Sequence, residues 1–130
     1  MDREEPPAIL VVDDDPMILR LLEINFRLEG YRVETASHGE QALEMAASLL
    51  PRAIILDVMM PGMDGWEVCR RLREDPATAS IPIIALSARA REEDRQRGYA
   101  LGVAEYITKP FDPAELVQTV RRAQSLPTSQ

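Results

Sequence analysis

Cysteine is almost absent from this sequence. Cys69 is the only one, so no intrachain disulfide can form, and no second cysteine or neighbouring histidine completes a metal-binding or redox motif. A lone thiol within an expected helix reads as packing and fits a reducing compartment. Histidine is as scarce: His38 stands just before an expected helix, where it reads as a cap or a surface contact. No apolar run reaches the roughly 20 residues that a transmembrane helix needs. Asp2, Glu4 and Glu5 stand where a secretory leader would be basic, so the cytoplasm is the expected location and no membrane association is expected. Basic charge is in the minority, and the formal net charge of −7 argues against direct nucleic-acid binding. Neither G-x-G-x-x-G nor a P-loop is present, which leaves nucleotide or flavin binding resting on fold analogy alone.

What is present fits one domain, since 130 residues support a continuous core and leave little room for a second unit. Residues 1–7 read as a flexible N-terminal segment and 125–130 as a flexible tail or truncated linker, leaving a domain over 8–124. Strands are expected at Ala8 to Val12, Arg32 to Ala36, Ala53 to Leu56, Ile81 to Leu86 and Val103 to Ile107. A helix alternates with each. The first carries Ile18, Leu21, Leu22 and Leu28 on its expected inner face and stops at Gly30, and the second, Glu40 to Leu49, turns Ala42, Leu43, Ala46 and Leu50 inward. The third follows a Pro61-Gly62 turn, with Asp64 as cap, Glu67 at the reciprocal capping position, and Val68 and Leu72 inward through Glu74. Arg89 to Tyr99 is charged and marginally apolar; Pro113 to Ala123 presents Leu116, Val117 and Val120. The expected fold is α/β, a doubly wound five-stranded parallel sheet with five helices in flavodoxin-like strand order.

In such a sheet, groups just beyond the strand carboxyl ends meet at one edge. Asp13, Asp14, Asp57, Ser87 and Lys109 occupy four of those ends. Taken singly, the Asp13 to Asp15 run reads as a solvated helix start, Ser87 as a cap and Lys109 as a surface residue. Together they suggest phosphate chemistry. Asp14 and Asp57 offer hard oxygens to Mg²⁺, with Asp13 orienting a metal-bound water, and Asp57 then becomes a nucleophile toward phosphorus. Lys109 and Ser87 can each contact a phosphoryl oxygen.

The spaced set VVDDD, LDVMMPGMDG, ALSA and YITKPF resembles the receiver domain of two-component response regulators, from about Ala8 to Ala123. The resemblance implies that Asp57 is the phosphoacceptor, that Asp14 and the Met59 backbone carbonyl ligate Mg²⁺ with Asp57, and that Asp13 supports the site, with Mn²⁺ an acceptable substitute. It implies that Ser87 and Lys109 contact the phosphoryl group, that Lys109-Pro110 is cis, and that Tyr106 is the aromatic switch, rotating inward as Ser87 moves. The implied phosphodonor is a sensor histidine kinase or histidine phosphotransfer protein, and His38 is no substitute. A downstream protein or effector domain would read the face of the fourth helix, fifth strand and fifth helix, where Arg89, Arg91, Arg95, Arg97, Arg121 and Arg122 supply basic groups. A phosphorylation-dependent homodimer is another use of that face, although Ala104 and Thr119 replace the acidic residue and arginine usual in winged-helix relatives. Catalysis would be confined to the chain's own phosphorylation and dephosphorylation. Two alternatives remain: a pseudo-receiver that only binds proteins, and a metal-dependent phosphatase, which lacks a segment for a substrate cap.

Overall fold

The computed structural model describes residues 6–60 and 62–125; Pro61 of the expected turn and most of both expected terminal segments lie outside the described residues. Five strands, β1 (Ala8–Val12), β2 (Arg32–Ala36), β3 (Ala53–Asp57), β4 (Ile83–Ser87) and β5 (Glu105–Thr108), alternate with α1 (Pro16–Leu28), α2 (Gly39–Leu49), α3 (Gly65–Glu74), α4 (Glu92–Ala100) and α5 (Pro113–Ser125). All strand pairs are parallel, in the order β2-β1-β3-β4-β5. This is the expected doubly wound fold. β1, β3 and β4 are buried along their whole length, which explains why they read as continuous apolar runs and not as alternating ones.

Alternate strand residues feed two cores. Leu10, Val12, Ile54 and Leu56 pack under α2 and α3, while Ile9, Val11, Ile55 and Leu86 pack under α1 and α5. Each such side chain contributes about 2 kcal/mol by leaving water. Cys69 is a buried, unpaired member of the first core. No helix among the described residues is long and apolar enough to cross a membrane.

Several elements depart from the sequence reading. α1 buries Leu22 and Phe26, with Ile18 and Leu19 partly covered, whereas Leu21 and Leu28 are exposed. Residues 18, 22 and 26 follow one helical face, and Leu28 falls on the opposite side. Leu50 is exposed and ends α2 in the left-handed region at φ 49°, so it caps the helix instead of facing inward. Asp64 does cap α3 by accepting the Glu67 N–H at 3.0 Å, but the Glu67 carboxylate turns to Arg70 and Arg71 and does not complete a reciprocal box. α4 begins at Glu92, three residues later than expected, and its N-cap Arg91 makes no side-chain capping bond. Arg121 reaches Glu29 at 2.7 Å beside α1, away from the α4, β5 and α5 face. His38 caps α2, its Nδ1 accepting the Gln41 N–H at 3.3 Å.

Candidate functional site at the carboxyl edge of the sheet

The strand register sets the site. Val12 lies beside Leu56 and Asp57 beside Leu86, so the next residues out, Asp13 on one strand and Asp57 on its neighbour, reach the same edge. Ser87 pairs with Thr108, and the Lys109 N–H donates to the Ser87 carbonyl at 2.8 Å, which carries Lys109 to that edge as well. The Lys109-Pro110 peptide bond is cis.

Lys109 Nζ lies 3.1 Å from Asp13 Oδ2 and 3.3 Å from Asp57 Oδ2, bridging the two buried carboxylates. Their other oxygens are occupied too: Asp13 Oδ1 accepts the Asp15 N–H and Asp57 Oδ1 accepts the Met59 N–H, each at 2.9 Å. Asp14 stands exposed at the mouth, and one carboxylate oxygen from each of Asp13, Asp14 and Asp57 lies within 4.8 Å of the others. Burial holds the Asp13 carboxyl above its usual range, the Asp57 charge adding to the effect while the Asp15 N–H and Lys109 oppose it. Burial also works against the Lys109 charge, yet its bond to Asp13 and the charges of Asp57 and Asp13 outweigh that and hold the ammonium above the ordinary lysine value. At 4.8 Å two carboxylates repel by about 3 kcal/mol at an effective dielectric constant of 20. One ammonium cannot neutralise three of them, so this donor set of hard oxygens fits a small divalent cation.

Ser87 is fully buried and its Oγ accepts the Arg89 N–H at 3.0 Å. The Tyr106 hydroxyl donates to the Arg89 carbonyl at 2.9 Å, so the peptide groups of Arg89 connect Ser87 to Tyr106. The Tyr106 ring is already inside, 1% exposed, stacked on Trp66 at 6.3 Å with Arg95 over it at 5.5 Å. In this conformation the Tyr106 ring thus already occupies the inward position. Met59 is half-exposed and lines a cavity of 390 Å³ with Arg89.

Sequence reasoning missed Gly65. A Cβ there would stand 2.3 Å from the Val58 Cα and 2.6 Å from the Asp57 carbonyl oxygen, so only glycine lets α3 start against the loop that carries Asp57. Its signal was a glycine at a first helical position that propensity disfavours, directly after a competent cap. Trp66 and Gly98 were also missed, because their role lies in packing around Tyr106.

Residues 9–121 match the family model of the response regulator receiver domain. The chain is similar to the DNA-binding dual master transcriptional regulator RpaA of a Synechocystis species, at 44% identity over 115 residues, 88% of this chain and 48% of that protein. It is similar to the response regulator PleD of Caulobacter vibrioides at 49% identity over 113 residues, 87% of this chain and 25% of PleD. It thus spans about half the length of one relative and a quarter of the other. Among solved structures, the receiver domain of the sensor histidine kinase PA1611 from Pseudomonas aeruginosa, with a magnesium ion coordinated in its active-site cleft, superposes with a TM-score of 0.85. That likeness carries 34% identity and covers 93% of this chain and all but 1% of the other. With the family model matched across nearly the whole chain and the fold shared with a solved receiver, this chain belongs to the response regulator receiver domain family, the phosphorylation-dependent switch of two-component systems.

Proposed function

We propose that this domain, over 8–124, accepts a phosphoryl group on Asp57 from a phosphohistidine of a sensor kinase or histidine phosphotransfer protein, then releases it by hydrolysis. The observation that carries this reading is the bridge from Lys109 Nζ to Asp13 and Asp57, which aims an ammonium at the oxygen that would attack phosphorus. In the transfer an Asp57 carboxylate oxygen bonds to phosphorus, the donor's N–P bond breaks, and the imidazole leaves and takes up a proton. Lys109 then pairs with one phosphoryl oxygen, and Ser87 releases the Arg89 N–H to donate its hydroxyl to another. Asp14, Asp57 and the Met59 carbonyl, with Asp13 through water, are the donors that would hold Mg²⁺ or Mn²⁺. When bound, that cation would neutralise phosphoryl charge and reduce the carboxylate repulsion.

Loss of the Ser87 bond loosens the Arg89 peptide, which also holds the Tyr106 hydroxyl. Phosphorylation thereby shifts the populations of the face built by α4, β5 and α5, which a downstream protein, an effector domain or a second copy would read in the cytoplasm. The test is intact mass after incubation with Mg²⁺ and a small phosphodonor, beside Asp57→Ala. A hydroxylamine-sensitive phosphate that disappears in the variant is expected. No adduct on a folded, Mg²⁺-competent chain would instead make it an interaction module without phosphotransfer.

A further inference from the structure

Between α3 and α4 lie two adjoining cavities of 660 and 390 Å³ that share Asp64, Trp66 and Arg97. The smaller begins beside Met59 and Arg89 near the phosphate site, and the larger continues to Ala100 and Leu101 at the end of α4. The phosphoryl chemistry proposed above uses only the backbone of Met59 and Arg89 at the near end of the smaller cavity and nothing that lines the larger one. Together they make a groove with an apolar floor of Met60 and Trp66 and three exposed arginines, Arg70, Arg89 and Arg97, along its walls.

The carboxylates in the groove are engaged: Asp64 caps α3, and Glu67 holds Arg70 and Arg71. Arg97 is different. Its guanidinium lies over the Trp66 ring at 4.9 Å, and among the described residues no carboxylate comes within 4 Å of it. A guanidinium carries five N–H donors in its plane, and a position over an indole ring leaves them without a hydrogen-bond acceptor. On a chain of net charge −7, a groove with an uncompensated arginine is a local reversal of sign. The cationic wall suits a carboxylate and the floor suits an aliphatic side chain. A peptide strip offers both, whereas a free anion offers only the first.

We propose that the groove between α3 and α4 docks an acidic, leucine-containing peptide segment of a partner protein, with one of its carboxylates drawing Arg97 off Trp66. Trp66 carries that event inward, because its ring stacks on Tyr106 with only 16° between planes. Gly98 on α4 closes the stack: a Cβ there would stand 3.1 Å from the Tyr106 ring and 3.4 Å from Trp66. Peptide docking therefore repacks the ring whose hydroxyl holds Arg89. This link to phosphorylation rests on the function proposed above, and it is reciprocal, the modified chain binding peptide with altered affinity.

The whole chain, before and after treatment with Mg²⁺ and acetyl phosphate, is titrated with a fluorescein-labelled peptide of alternating glutamate and leucine. A lysine and leucine peptide of equal length is the control. The acidic peptide is expected to bind, and Arg97→Ala to weaken it about tenfold, as for one charge-assisted pair. Arg97→Lys should recover part of the loss. Trp66, the single tryptophan, should change its emission on binding in the native chain and not in Arg97→Ala. Equal binding of the two peptides, no binding to a folded chain, or an unchanged affinity in Arg97→Ala would overturn the docking site. Equal affinity before and after phosphorylation would overturn the link. Because docking is read on the unmodified chain, an Asp57 that takes no phosphate refutes the proposed function and leaves the groove intact. A phosphorylated chain that ignores the peptide does the reverse.

Discussion

Among the described residues Lys109 is the cation set between two buried carboxylates, and its removal should be felt before any phosphate arrives. Lys109→Met in chelator is expected to lose about 2 kcal/mol of stability, less than for a fully buried pair because the lysine side chain is partly exposed. Mg²⁺ should restore part of it, and an unchanged midpoint in denaturant would show that the bridge does not stabilise the fold. Gly65 acts on the same site from behind. Gly65→Ala forces a methyl into the backbone of Val58 and Asp57, so a loss of about 2 kcal/mol is expected together with slower acyl phosphate formation. A variant as stable and as fast as the native chain would mean that the α3 start shifts freely. The difference in legibility between these two residues is physical. Lys109 was legible because it follows a strand and parallel strand ends converge, whereas the need for Gly65 arises only once α3 is laid against the β3 exit.

Among the elements, α3 was readable to the residue, because a capping aspartate, an inner row of Val68, Cys69 and Leu72 and a charged outer face all agree. α4 was not, because its only buried residues are Asp94 and Gly98, and no apolar stripe marks its start. It is held instead by the Arg95 guanidinium, which donates to the Tyr106 carbonyl at 3.1 Å, and by aromatic rings that sequence spacing does not reveal. On α3 the hydrogen bonds from Arg70 and then Arg71 lower the Glu67 carboxyl from 4.5 to about 2. A depressed carboxyl stabilises the fold above its unfolded value and loses that contribution as pH falls through the folded one. The stability difference between the native chain and Glu67→Gln should therefore hold above pH 4.5 and vanish toward pH 2. Glu67, Arg70 and Arg71 all reach solvent, so roughly 1 M salt should shrink it at every pH. A difference that is flat across that range in dilute buffer would remove the Glu67 pairs from the stability of α3.

For the whole molecule, charge is distributed unevenly: the described acidic cluster sits at one sheet edge, and a core packs on each face of that sheet. A ligand that binds only the folded chain raises its stability by mass action, about 2.7 kcal/mol at a hundredfold excess over its dissociation constant. Mg²⁺ is expected to raise the melting temperature in that manner, and Asp14→Asn to reduce the rise, read by thermal scans across a Mg²⁺ series. Equal rises in both proteins would place the cation elsewhere. The bridge at this edge also joins positions far apart in the chain, Lys109 lying 52 residues beyond Asp57 and 96 beyond Asp13. A ribosome builds the chain from its amino end, so Asp57 is in place 52 residues before Lys109 is added. A nascent or prematurely ended chain thus carries Asp57 without the ammonium that bridges it to Asp13, and the site proposed above is complete only once the last strand has been made. The order of synthesis thus leaves the proposed site to be closed last.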